Sequence, residues 1–576
     1  MSDYDVIVIG SGLGGSSAAA HLAAVGQRVL LLERYSVLGG SSHVFRREGK
    51  WEWDCGVHYI GDCGPSGHTP TLMRGLGLDD RVSWLPLDSD GIDVVRGPDR
   101  EFRIPVGWDH YLANVSAAFP EDAKGLRRVV SILRALAQPW DRDITPSSKL
   151  AYTRWLTSLS PRAAAFAHLP VITMFTRCGL KPRTILALSV HCGLMGSTPL
   201  KATTAMYAVL MHNYIGSGAY YPRGGGQALS AGFAEVTTSH GGVIRRNTGV
   251  EKILIRNNQV EGVRLADGDI LTAPAVISAA DIIRTFRDLV GVENLPLRHR
   301  ARVSQLKMSM PFINAYFGIE MDLSTAPNSN YFIIPTWDDA TSLPKLAGMA
   351  RSLLGGAGFT DGQDWARQVA ARQPMFVQSS SRRDPSHKAA APAGHATVEV
   401  QSTVPYRPQL WGVDGYDISG HEYRNDRTYN NVKAILTDAM AQRMENAFPG
   451  ASSAIKLCEL ATPATQERYV GNSMGAPFGL DVTPDQTGPL RPGVKTPIRG
   501  LFLAGTSTST GPATEGAMLS GRQAASAVLG RDLSAEVRDG AVLADHAKLP
   551  VRASQFDALH SASAGLGTRR TKASSA

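Results

Sequence analysis

The chain has 576 residues, 43% hydrophobic and 19% charged, with a formal charge of +8. That length exceeds one hydrophobic core and predicts a globular protein of two or more domains. The basic balance comes without an RNA-binding motif, a Cys-x2-Cys zinc finger or a dense Lys/Arg block, which argues against nucleic acid and leaves a membrane surface as the alternative partner.

The chain opens on "MSDYDVIVIG", with no basic region followed by an apolar core, so no signal peptide is expected. "YDVIVIG" reads as a buried parallel strand. "GSGLGG" follows at once, with Gly10, Gly12 and Gly15 in G-x-G-x-x-G spacing. "SSAAAHLAAVG" is a small-residue helix closed by Gly26, and "RVLLLE" is a second buried strand ending on Glu33. This β-α-β unit predicts a dinucleotide site. Its glycines serve, in order, the tight turn, the approach of a pyrophosphate and the helix–strand contact, and the helix N-terminus offers N–H groups to the phosphates. Glu33 is placed to accept from ribose hydroxyls, and its charge disfavours a 2′-phosphate.

Residues 54–64 read "DCGVHYIGDCG". Cys55 and Cys63 are eight apart with no matching second pair, a poor zinc pattern, and Asp54 is read as an anchor for backbone N–H groups of a Gly-rich turn. The other cysteines, Cys178, Cys192 and Cys458, are irregularly spaced, so neither a disulfide framework nor a metal site is expected. Residues 121–137 predict an amphipathic helix with Leu126, Val129, Val130, Leu133 and Leu136 on one stripe. From 160 to 215 the chain is strongly apolar, and two readings stay open: buried helices forming a lid over a substrate cavity, or an apolar face that dips into a bilayer. No apolar run reaches the roughly 18 residues of a spanning helix, so the expected location is cytoplasmic, or peripheral on a membrane. Segments 310–320, 376–385 and 395–406 read as strands of a second sheet. "GLFLAGT" (500–506) is a further buried strand, Gly511 and Pro512 turn the chain, and a helix starts near Gly516. Residues 531–576, ending "RRTKASSA", read as a flexible tail.

The E-x5-G-G run from Glu33 to Gly39 and Gly40 is similar to that of two-dinucleotide-binding-domain flavoproteins. "GGSSHVFRREGKWEWDCGVHYIG" (39–61), "YYPRGGGQALSAGF" (220–233) and "TPIRGLFLAGTSTSTGPATEGAMLSGRQAASAVLG" (496–530) resemble the phytoene desaturase-like flavoproteins, nearest the carotenoid isomerase and retinol saturase branch. The resemblance implies an α/β fold: a discontinuous, Rossmann-like FAD-binding domain of the GR2 type from 1–75, 218–290 and 490–530, with an α+β substrate domain from 76–217 and 291–489. It places FAD against Gly10, Gly12, Gly14, Gly15, Glu33, Arg34, Gly39, Gly40, Ser41, Ser42 and the backbone of Val250, and then Gly505, Thr506, Glu515, Gly516, Ala517 and Met518. It puts residues 54–64 in the wall of the flavin pocket. There His58 either donates a hydrogen bond or shuttles a proton, or else is a satisfied packing histidine. Two departures stand out: Ser41 where many desaturases have Arg, and "AGTSTST" where many members carry an Asp or a second Gly.

The implied activity is that of an FAD-dependent oxidoreductase on C=C/C–C bonds of a lipophilic, carotenoid- or retinoid-like polyene, as saturase, desaturase or isomerase. No second nucleotide fingerprint is present, so NAD(P)H or another electron partner would bind transiently or act from elsewhere. The alternatives are a polyunsaturated fatty-acid isomerase, an amine oxidase and a non-enzymatic prenyl-lipid escort protein. The intact fingerprint argues against the last. The expected partner is a lipophilic small molecule, with the oligomeric state open.

Overall fold

Three stretches far apart in the chain supply one parallel sheet. The structure is a computed structural model that describes residues 2–137, 149–354, 358–552 and 556–564. Strands Val6–Ile9, Val29–Leu32, Val243–Arg245, Ala275–Ser278 and Leu501–Leu503 lie side by side in the order 243–245, 29–32, 6–9, 275–278, 501–503. Every neighbouring pair is parallel. Unbroken apolar strands suit this sheet because both faces are covered. Val6 and Val8 pack on the helix side, against Ala18, Ala19 and Leu22 of helix Leu13–Ala24 and Ala524 and Ala525 of helix Ala513–Leu529. Ile7 and Ile9 face the other way, onto Ile253 and Val263 of an antiparallel sheet formed by Val250–Arg256, Gln259–Leu265 and Ile270–Thr272.

The second body is built on a seven-stranded sheet in the order 455–461, 312–319, 396–403, 375–378, 330–333, 93–96, 101–104. Its pairs are antiparallel except for 330–333 beside 93–96. Helix Arg427–Ala447 covers part of this sheet. The hairpin of Val44–Arg47 and Trp51–Asp54 leaves the parallel-sheet body and docks here, with the Trp53 indole N–H donating to the Phe317 carbonyl at 3.2 Å.

The expected strands at 310–320 and 395–406 form as Phe312–Ile319 and Ala396–Thr403. The one expected at 376–385 ends at Gln378, because Ser379 caps a helical turn over Ser380–Arg383 by accepting from the Arg382 N–H. Helix Ala123–Ala137 buries Leu126, Val129, Val130, Leu133 and Leu136. Within 160–215, helices Val171–Arg177, Pro182–Ser189 and Thr204–Ile215 pack into the same core as the seven-stranded sheet, and among the described residues no large hydrophobic side chain of this stretch is exposed. No helix of the described residues is long and apolar enough to cross a membrane.

The stretch beyond 531 departs from the flexible tail expected of its composition. Leu533–Arg538 and Ala558–Ala564 are helical. Between them Arg552 pairs with Glu235 at 2.9 Å and Asp557 with Arg46 at 2.6 Å, so ion pairs and a few apolar contacts hold what low hydrophobicity alone would leave loose. The final "RRTKASSA" lies outside the described residues.

Candidate active site

Helix Leu13–Ala24 starts at Gly12 with no side-chain cap, so its first N–H groups are available to a ligand. The second and third glycines of the fingerprint play opposite parts. A Cβ placed on Gly15 would lie 2.0 Å from the Gly10 carbonyl oxygen, so the helix touches the strand only because that atom is missing. A Cβ on Gly12 would meet nothing within 4 Å, and it would project into the open space beside the uncapped helix end. Gly39 bridges to Gly12, Gly40 turns beside it, and the Ser42 hydroxyl donates to the Gly39 carbonyl at 2.7 Å. Ser41 follows at the partly exposed rim, its carbonyl closing on Gly56.

The Glu33 carboxylate accepts from the Ser11 N–H (2.9 Å), the Ser11 hydroxyl (2.6 Å) and the Tyr35 N–H (2.7 Å). A carboxylate has about four acceptor positions, so one remains for a ribose hydroxyl. The Glu33 backbone joins Arg245 and Thr248 at 2.8 Å each, which brings the chain leading to Val250 alongside. Arg34 turns away, donating to the Arg468 carbonyl at 2.8 Å.

The C-terminal stretch closes the cradle. A Cβ on Gly14 would lie 2.6 Å from the Gly505 nitrogen and 3.2 Å from the Ala517 carbonyl, so fingerprint and C-terminal loop meet at van der Waals contact. The Gly505 N–H donates to the Ser520 hydroxyl at 2.6 Å, and the Ser17 hydroxyl donates to the Met518 carbonyl at 2.8 Å. The helix begins at Ala513, earlier than the Gly516 start expected, with Pro512 at the N-cap position and no side-chain cap. Gly516 packs against the Gly511 carbonyl, and Glu515 is buried in the first turn, where burial pushes its carboxyl up to about 7. A residue that motif reading misses holds this loop. Arg491 is buried and donates to the carbonyls of Thr506 (2.7 Å), Thr508 (2.9 Å) and Leu480 (3.0 Å), with burial pulling its guanidinium down to about 10. Nothing in "LRPG" announces it.

On the substrate side the fold gathers a buried polar cluster. The Asp54 carboxylate accepts from the Gly226 N–H at 2.7 Å and from the Tyr221 hydroxyl, so it anchors the distant "RGGGQ" turn and not a turn of its own segment. Burial pushes it up to about 6. Ser380 donates to Glu399 at 2.8 Å, and the Gln378 amide donates to the other Glu399 oxygen. Burial and the Asp54 carboxylate push Glu399 up to about 8. Arg383, 4% exposed, donates to Asn330 and lies 5.8 Å from the Tyr59 and Tyr221 rings. Asn330 donates to Asp93 at 2.6 Å.

His58 sits over this sheet. Its Nδ1 is 3.1 Å from the Gln378 amide and its Nε2 is 2.6 Å from the Gln401 amide. Burial, with the Arg383 charge adding to it, pulls the imidazole down to about 3. It is therefore neutral at physiological pH, with Nδ1 accepting from the Gln378 NH2 group that Glu399 holds in place, and Nε2 against the Gln401 amide. Such a ring does not titrate near neutrality, so the geometry favours a brace over a proton shuttle. Cys55 and Cys63 are free thiols, Cys55 with its sulfur 3.2 Å from His43. Among the described residues no group of three or more His, Cys, Asp or Glu is gathered as a metal site.

The family described as flavin containing amine oxidoreductase matches residues 13–284 and 466–529, more than half of the chain. This chain belongs to that family. The cradle fits the family's flavin as FAD: an uncapped helix end with open space at Gly12, a double-glycine turn beside it, and an acid with a free acceptor position. Among curated relatives of this family member, an all-trans-retinol 13,14-reductase from Danio rerio is 25% identical, covering 87% of this chain and 82% of that protein. Prolycopene isomerase 2 from an Oncidium hybrid is 25% identical, covering 94% and 87%. A neurosporene-forming phytoene desaturase from Cereibacter sphaeroides is 27% identical, covering 89% and 93%. Among solved structures, cyclohexylamine oxidase from Brevibacterium oxydans superposes with a TM-score of 0.57 at 16% identity, over 92% of this chain and 99% of that one, which establishes the shared fold.

Proposed function

We propose that this flavoenzyme acts on C=C/C–C bonds of a lipophilic polyene. One observation carries the reading. The ionisable groups that the fold brings to the substrate side are mostly turned onto protein partners: Asp54 onto Tyr221 and Gly226, Glu399 onto Ser380 and Gln378, and His58 uncharged between two amides, while Arg383 donates to Asn330 and keeps one buried nitrogen unpartnered. Such a site offers little to a charged substrate and suits a long apolar one. The names of the relatives, retinol reductase, prolycopene isomerase and phytoene desaturase, support the same class. A fatty acid would want a free cation for its carboxylate; of Arg177, Lys181 and Arg183, the cations near the apolar helices, Arg183 is paired with Asp99 at 3.3 Å.

Bound FAD supplies hydride transfer at its N5 atom. The chain binds the cofactor through Gly12, Gly39, Gly40 and the loop at Gly505, excludes water with the helices of 160–215, and holds the substrate over the sheet that His58 braces. An electron partner such as NAD(P)H would bind transiently, and a peripheral membrane contact would deliver the lipid.

The test is the visible spectrum of the purified protein under anaerobic conditions. Flavin bands that bleach with NADPH and recover on adding a polyene identify a saturase. Bleaching by the polyene alone identifies a desaturase, and a shift of the polyene's own spectrum with the flavin unchanged identifies an isomerase. Flavin bands indifferent to every polyene, with no polyene altered, would overturn the reading.

A further inference from the structure

We propose that a cavity behind helix Pro182–Ser189 is the terminal subsite of the substrate channel, and that it selects a polyene ending in a hydroxyl group. The proposal rests on the polyene reading and names the substrate's polar end.

The cavity has a volume of about 90 Å³. That is room for about three waters, or for one small terminal group. Its walls are mostly apolar, with Ile172, Leu186, Leu346 and Met349 among them. Three polar atoms of its lining residues have no hydrogen-bond partner: the Ser189 hydroxyl, the Gln373 side-chain carbonyl and the Ser197 hydroxyl. Ser189 and Gln373 are more than nine-tenths buried, at 9% and 4% exposure. The Gln373 amide cannot simply turn over, because its NH2 group donates to the Ser402 hydroxyl at 2.6 Å and to the Thr403 carbonyl. Of the three, the Ser197 hydroxyl lies beside the Asp481 carboxyl, which can take its proton in a hydrogen bond.

The site thus presents one fixed acceptor and one hydroxyl. An alcohol satisfies both, donating to Gln373 and accepting from Ser189. An aldehyde can only accept, which leaves the Gln373 oxygen bare. A carboxylate meets a carbonyl oxygen and no cation, since no Lys, Arg or His lines the cavity. A hydrocarbon end leaves both atoms unpaired.

Position supports the assignment. Gln401, which holds His58, and Thr403, which lines the cavity, are alternate residues of strand Ala396–Thr403. They therefore share one face of the sheet, about 7 Å apart along the strand. A substrate lying along that strand beneath His58 would deliver its end to Ser189 and Gln373.

The experiment uses the full-length, FAD-loaded protein and three probes: all-trans-retinol, its hydrocarbon counterpart lacking the hydroxyl, and all-trans-retinoic acid. Affinities are read from the change in polyene absorption. The expected order is alcohol first, with a preference over the hydrocarbon of about ten-fold or more, the scale set by one unpaired buried polar atom. Ser189→Ala and Gln373→Met should each cut that preference to about three-fold or less, with FAD stoichiometry unchanged. If Gln373→Met fails to fold, Ser189→Ala decides alone. Equal affinity for alcohol and hydrocarbon in the unaltered protein would mean a water-filled cavity, overturning the subsite while leaving the polyene reading intact. Tightest binding of the acid, or a preference untouched by the variants, would also overturn it. Failure of all three probes to bind the FAD-loaded protein would remove the polyene reading for retinoids and the subsite with it.

Discussion

The cofactor cradle and the substrate sheet are built on opposite principles. Around Gly12, Gly39 and Gly505 the protein presents bare backbone, with one carboxylate, Glu33, as its charged contribution. Around Glu399 it buries ionisable groups: two carboxyls, a guanidinium, tyrosines and an imidazole, joined across strands. The cradle is specified by what is missing from its side chains, and the sheet by what its side chains bring. A cradle of this kind tolerates repair of its scaffold but not intrusion into its space. A buried charge cluster tolerates neither, because removing one member strands the others.

The contrast can be broken at four places, in descending order of effect. Gly12→Val should leave a folded protein without cofactor, because the added carbons enter open space; retention of stoichiometric FAD on purification would refute the cradle. Arg383→Met should leave FAD binding intact where the fold survives but destabilise by about 1–3 kcal/mol, because the buried Asn330 oxygen loses its donor. Equilibrium unfolding in urea measures it, and an unchanged midpoint would show that the cluster contributes nothing.

The third test is pH. The Glu399 carboxyl is raised to about 8 in the folded chain, above its unfolded range, so between these values the native state holds a proton that the unfolded state has lost. Stability from this group is therefore present at low pH and declines as pH rises through about 8, by up to about 1.4 kcal/mol per pH unit. Glu399→Gln should flatten that decline in a series of melting curves from pH 5 to 9, and an identical slope would place the proton elsewhere. The smallest effect is expected at His58. His58→Ala should slow turnover only a few-fold, with FAD bound and the pH profile of kcat unmoved between 6 and 9, since the ring already sits near 3. Loss of a limb of that profile would restore the proton-shuttle role.

The same contrast explains what could be read from sequence. The cradle is local: strand, glycines, helix, strand and acid fall within residues 4–40, and each imposes a steric or electrostatic demand visible in the letters themselves. The second sheet is not local. Tyr316, Glu399, Gln378, Asn330 and Asp93 become neighbours only through strand pairing. Arg383 looks like any solvated cation in "SSRRDP", and Arg491 carries no motif. Strands such as Asp93–Arg96 went unpredicted because four residues with charged ends show no clear alternation. The tail was misjudged for a related reason. Composition measures apolar content, whereas Arg552 and Asp557 hold it by pairing.

The position of strand Leu501–Leu503 at the edge of the parallel sheet also has a temporal meaning. Its loop at Gly505 completes the cradle, yet it leaves the ribosome after the other four strands of its sheet. Until then Ala275–Ser278 is an uncovered edge, a ready site for mispairing during synthesis. Flavin capture should therefore wait until the loop at Gly505 has emerged and closed that edge. A stalled chain ending at residue 495 that already retained FAD would show otherwise.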